Sequence, residues 1–124
     1  MKGILLFGHG ARNPAWAAPF EKIRQKLKAA DANLLVESGF LEMLSPSFDE
    51  SIDSLAAQGA RHIMVVPVFI AGGGHVLKDL PSLVEQAINR HPMLSIRIAH
   101  PVGESEAVLD AMACYIISSM QYDN

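Results

Sequence analysis

The chain of 124 residues contains a single cysteine, Cys114, so an intrachain disulfide is excluded and the thiol content matches a reducing compartment. Cys114 sits in an apolar helical run, where a buried, inert thiol is expected rather than a nucleophile. Positive charge is scarce too. Ten Lys and Arg stand against thirteen Asp and Glu, for a formal charge of −3, whereas neutralising nucleic-acid phosphates takes a basic face. No nucleic-acid partner is expected. Long apolar runs are absent: Ile4-Leu5-Leu6-Phe7 ends at Gly8, too short for a membrane span and without a signal-cleavage pattern. The expectation is a cytoplasmic protein with no membrane partner. No linker, low-complexity tract or histidine-rich segment interrupts the sequence.

What is present is an ordinary globular balance, 50% apolar and 19% charged residues, in a length that fits one domain, residues 1–124. Gly3–Phe7 is a continuous apolar run, as in a parallel strand buried on both faces. Asn13 and Pro14 open a helix to about Asp31, with Phe20, Ile23, Leu27 and Ala30 at helical spacing and Pro19 delaying its regular part. Leu34–Phe40 reads as a second strand. Ser45-Pro46 starts a second helix, whose inward stripe is Phe48, Ile52, Leu55 and Ala56 and whose stop is Gly59.

His62–Ile70 is the strongest strand signal, with Pro67 interrupting one ladder bond. A third helix is expected over Lys78–Asn89, with a turn beginning near Pro81 and Leu80, Leu83, Val84, Ala87 and Ile88 inward. Ser95–Ala99 gives a fourth strand and Glu104 to about Met120 a last helix, with Val108, Met112, Tyr115 and Ile116 along one side. Four alternating units imply an α/β fold with a mainly parallel sheet, order 2-1-3-4, and helices on both faces. Ligands of such sheets sit beyond the carboxyl ends of the strands, where the winding reverses, here between strands one and three.

Two histidines among glycines flank that crevice: His9 in Gly8-His9-Gly10 and His75 after Gly72-Gly73-Gly74. Glu42 follows strand two at a comparable place, and two imidazoles with one carboxylate suit a first-row divalent metal with positions left open. Each also has an ordinary explanation: a hydrogen-bonded structural histidine, a solvated loop carboxylate. Their joint placement favours the site. The amides of Gly72, Gly73 and Gly74 at a helix start can hold carboxylates, and Arg12 and Lys78 stand where they can pair with ligand acids or simply face solvent. His62 and His91 read as surface or structural residues. His100 lies on the functional rim, one strand away from the crevice. Phe40, Met43, Leu44, Phe69 and Ile70 supply apolar surface there, as core packing, a platform for a large flat ligand or a subunit contact.

Taken together, Leu6-Phe7-Gly8-His9-Gly10-Ala11-Arg12, Gly39-Phe40-Leu41-Glu42 with Pro46-Ser47, Gly59-Ala60, Val65-Val66-Pro67-Val68-Phe69, Gly74-His75-Val76 and Asp79-Leu80-Pro81 form a pattern. Over nearly its whole length the chain resembles the small single-domain sirohydrochlorin chelatases, class II tetrapyrrole chelatases that insert cobalt, iron or nickel into a reduced tetrapyrrole. The resemblance implies a chelatase-like fold and a lyase acting in cobalamin, siroheme or related tetrapyrrole biosynthesis. It implies that His9 and His75 bind the metal and assist proton removal, with Glu42 as third participant. It also implies that two short chains pair as a homodimer to build the cavity. The divalent ion (Co²⁺ first, Fe²⁺ or Ni²⁺ otherwise) is then a substrate, and no prosthetic group is expected. Two other classes share some of these features: a non-catalytic metal or tetrapyrrole carrier, and a phosphate-handling enzyme, for which a phosphate-loop lysine is missing.

Overall fold

A computed structural model describes the backbone of residues 1–70 and 74–122 and the side chains of 1–70 and 77–120. Strands β1 (Lys2–Gly8), β2 (Leu35–Phe40), β3 (His62–Pro67) and β4 (Ser95–Ile98) alternate with helices α1 (Ala18–Ala30), α2 (Phe48–Ala57), α3 (Gly74–Arg90) and α4 (Glu106–Tyr122). The strands form one parallel sheet in the order β2-β1-β3-β4, as the alternation of apolar runs implies. β1 lies inside the sheet, with Leu5 opposite both Glu37 and Val65. Its run Leu5-Leu6-Phe7 is buried on both faces, which explains why it alternates no polar residues.

On one face α2 and α3 cover Leu5, Phe7, Ile63 and Val65 with Phe48, Ile52, Leu55, Leu80, Val84 and Ala87. The rings of Phe7 and Phe48 meet edge to face, 5.8 Å apart, a preferred aromatic arrangement. The opposite face carries α1 over β1 and β2. Phe20 packs on Phe40 at 5.1 Å, and a side chain at Gly8 would collide with Phe20. Arg24 Nε and Lys28 Nζ donate to the carbonyls of Val36 and Leu34, each at 2.8 Å, so polar bonds fasten α1 to the edge strand.

Several element ends differ from the sequence reading. A 3₁₀ turn, Pro14–Ala17, precedes α1, the delay expected from Pro19. The cap of α2 is Ser47 rather than Ser45. Ser47 accepts from the Glu50 amide, and Glu50 accepts from the Ser47 amide at 2.9 Å, a reciprocal arrangement that Ser45 cannot make. α3 starts at Gly74, ahead of Lys78, and carries Pro81 inside it; the proline forfeits one helical bond and does not mark the start. Ile88 turns outward. β3 stops at Pro67, which has no amide for the ladder.

The largest correction concerns α4. A 3₁₀ turn, Val102–Glu104, takes the place of its expected first residues, and the helix packs mainly against that turn. Val108 and Met112 are half-buried, whereas Tyr115 and Ile116 are 73% and 59% exposed. Cys114, expected to be buried, is exposed on the same helix, which among the described residues has no strand packed over it. Among the described residues no helix is long and apolar enough to cross a membrane.

Candidate functional site

Beyond the ends of β1 and β2 the two backbone segments stay paired. Leu41 donates to the carbonyl of Gly8 at 2.9 Å and Glu42 to that of His9 at 3.1 Å, which sets Glu42 beside His9. Gly10 makes this approach possible. Its φ is +101°, and a Cβ there would fall 1.7 Å from the Glu42 carbonyl oxygen, so only glycine fits. The chain then turns at Met43, φ 67°.

Across this junction His9 Nε2 lies 3.1 Å from Glu42 Oε1, with 42% and 50% of the side chains exposed. So exposed a pair adds little to folding, and its arrangement calls for a chemical explanation. With Nε2–H donating to the carboxylate, Nδ1 keeps its lone pair. The separation also suits a shared cation: two ligand atoms at about 2.1 Å from one ion, at angles between octahedral and tetrahedral, are about 3.0–3.4 Å apart. A divalent ion can therefore replace the shared proton with little side-chain movement.

His75 falls in the first turn of α3, and its side chain lies outside the described residues; Gly72 and Gly73 lie outside them altogether. Among the described residues no group of three metal-ligating side chains occurs, so the centre visible is the His9–Glu42 pair. Arg12 and Lys78 are exposed. His100 is 95% exposed and 3.5 Å from Glu104, a solvent-facing pair. His62 is exposed at the entering end of β3. His91 Nε2 is 2.8 Å from Asp53 Oδ1, and Arg90 reaches the same oxygen at 3.2 Å. The hydrogen bond with His91, aided by Arg90 and opposed by partial burial, holds the Asp53 carboxyl below its ordinary range. This cluster ties α2 to the end of α3.

A cleft of about 380 Å³ opens next to His9, with walls of Phe20, Phe40, Leu44, Val68 and Phe69 and with Trp16 at its edge. Phe40, Leu44 and Phe69 thus line it, while Met43 and Ile70 point to solvent. The sequence reading missed Trp16 altogether and took Phe20 only as core. The available signal was an unexplained tryptophan just after the Asn13-Pro14 cap.

The CbiX family pattern matches residues 3–117. A curated relative from Priestia megaterium, named sirohydrochlorin cobaltochelatase, is 31% identical over 90% of this chain and 36% of its own length. Among solved structures, a CbiX protein from Marinobacter aquaeolei superposes with a TM-score of 0.84 at 27% identity, over 99% of this chain and 100% of that one. The sirohydrochlorin chelatase SirB from Bacillus subtilis subspecies spizizenii, in complex with cobalt, superposes with a TM-score of 0.80 at 28% identity, over 94% of this chain and 50% of that one. The chain therefore spans about a third of the Priestia relative and half of SirB. A shared sequence pattern over most of its length and a common architecture make this chain a member of the CbiX family.

Proposed function

We propose that this chain inserts a divalent metal, cobalt first and iron or nickel as alternatives, into sirohydrochlorin. The observation that carries this reading is the His9–Glu42 pair, 3.1 Å apart, whose histidine lines a mostly apolar cleft. The names of the Priestia relative and of SirB with its cobalt support the substrate and metal class. The choice of cobalamin, siroheme or another tetrapyrrole pathway follows from the metal used.

Insertion exchanges M²⁺ for two pyrrole protons, so the site must strip water from the cation, hold it at the macrocycle face and accept protons. In this reading His9 Nε2 and a Glu42 oxygen hold the ion, and His75 approaches from α3 as the third ligand. As the metal moves inward, the released imidazole and carboxylate each regain a lone pair and take up one pyrrole proton, passing it on to water. The amides of residues 72–74, with Arg12 and Lys78, anchor peripheral carboxylates. Tested anaerobically, sirohydrochlorin with Co²⁺, Fe²⁺ or Ni²⁺ should change its visible spectrum faster with the protein than without. More than one turnover per chain separates an enzyme from a carrier.

We further propose that residues 1–124 act as one domain in a cytoplasmic homodimer. The supporting features are the exposed apolar side chains Tyr115, Ile116, Ile117 and Met120 on α4 and the twofold greater length of SirB. An uncovered apolar helix of this kind marks an association surface.

A further inference from the structure

We infer that the indole of Trp16 is a stacking surface for the macrocycle at the mouth of the His9 cleft, a substrate-binding role that rests on the proposed reaction. Trp16 is the one tryptophan of the chain and is 66% exposed. Burying such a ring is among the larger gains a side chain can make, and here most of that gain is not taken. Its backbone is nevertheless built with care. The Asn13 side chain accepts from Ala15 N at 3.0 Å, the Trp16 amide donates to the Asn13 carbonyl at 3.1 Å, and Pro14 sits in the first turn. The turn continues directly into α1 at Ala18, so the ring is carried on a fixed base.

The cleft beside it is mostly apolar, and at about 380 Å³ it lies toward the low end of small-molecule sites, about 300–1,000 Å³. A conjugated macrocycle entering edge-first, with its centre at His9, leaves part of its face outside the walls of Phe40, Leu44 and Phe69. Trp16 lines the same cleft and leaves two thirds of its surface free to meet that face. Its ring offers an apolar face to the π-system, and its N–H offers a donor to a peripheral carboxylate. Trp16 takes no part in metal or proton transfer, so its removal acts on binding.

Being the sole indole, Trp16 reports on itself. Titrating the full chain with metal-free sirohydrochlorin should quench its emission saturably, beyond the attenuation seen with free N-acetyltryptophanamide. Trp16→Ala should raise the KM for sirohydrochlorin about tenfold with kcat changed less than twofold, and Trp16→Phe should recover most of the loss. Unquenched emission, or an unchanged KM in Trp16→Ala with insertion proceeding normally, overturns the role of Trp16 and leaves the proposed reaction standing. Saturable quenching by a wild-type chain that inserts no metal overturns the reaction and leaves Trp16 as a macrocycle contact. If Trp16→Ala fails to fold, the quenching titration and the KM of Trp16→Phe, expected within about threefold of wild type, still decide.

Discussion

His9 Nε2 stands 3.1 Å from Glu42 Oε1 because the backbone pairing of β1 and β2 runs on past both strand ends. The two groups are held at the spacing of adjacent ligands on one cation. Co²⁺ alone should therefore bind near one ion per chain, followed through its visible absorption. Glu42→Gln should weaken that binding about 10- to 100-fold with little change in thermal stability, since the pair is half exposed. Unaltered Co²⁺ affinity in Glu42→Gln removes the carboxylate from the centre.

Gly10 keeps the pair in register. With φ at +101° and the Glu42 carbonyl where a Cβ would be, Gly10→Ala should lower stability by about 1–3 kcal/mol and reduce insertion at least tenfold. Urea unfolding and the insertion rate are measured on the same preparation. A variant as stable and as active as wild type contradicts this account of the junction.

Asp53 supplies a pH dependence of stability away from the site. Its folded carboxyl titrates below the ordinary value through His91 and Arg90. The stabilisation is whole above the unfolded value of about 3.9 and disappears as pH falls through the lower folded value. The unfolding midpoints of wild type and Asp53→Asn should differ at pH 6 and converge toward pH 3. Salt should narrow the gap, because the carboxylate is half exposed. A gap independent of pH points to packing instead.

The central strands and the buried stripe of α2 were legible because Leu5, Phe7, Ile63 and Val65 on the strands and Phe48, Ile52 and Leu55 on the helix are buried as their patterns imply. Sheet position followed from connection rules. Element ends were harder to read, since Pro81 looks the same at a helix start as within one, and Ser45 resembles a cap until Ser47 and Glu50 are seen to bond each other. The nearness of His9 and Glu42 followed from topology, but not the backbone bonds that fix it. The exposure of Trp16 and of Cys114 is not legible in the sequence, because nothing in a residue's identity states whether a neighbour covers it. An apolar helix pattern reports that a face is to be covered, whether by its own sheet or by another chain.

That distinction can be tested on α4. If two copies associate through it, Ile116→Glu should raise the dimer dissociation constant about 30-fold or more, read by sedimentation across a concentration series. A wild-type chain that is monomeric throughout, or a variant dimer as tight as wild type, contradicts the pairing.

The central claim is that the histidine at the end of β1 delivers the metal. The most direct measurement is the anaerobic rate of Co²⁺ insertion into sirohydrochlorin by wild type and His9→Ala, followed by the visible spectrum of the macrocycle. The wild type should turn over repeatedly, and the variant should be at least about 100-fold slower while retaining its fold by circular dichroism. Equal rates for the two proteins, or a wild-type rate no greater than that of the protein-free control, would contradict it.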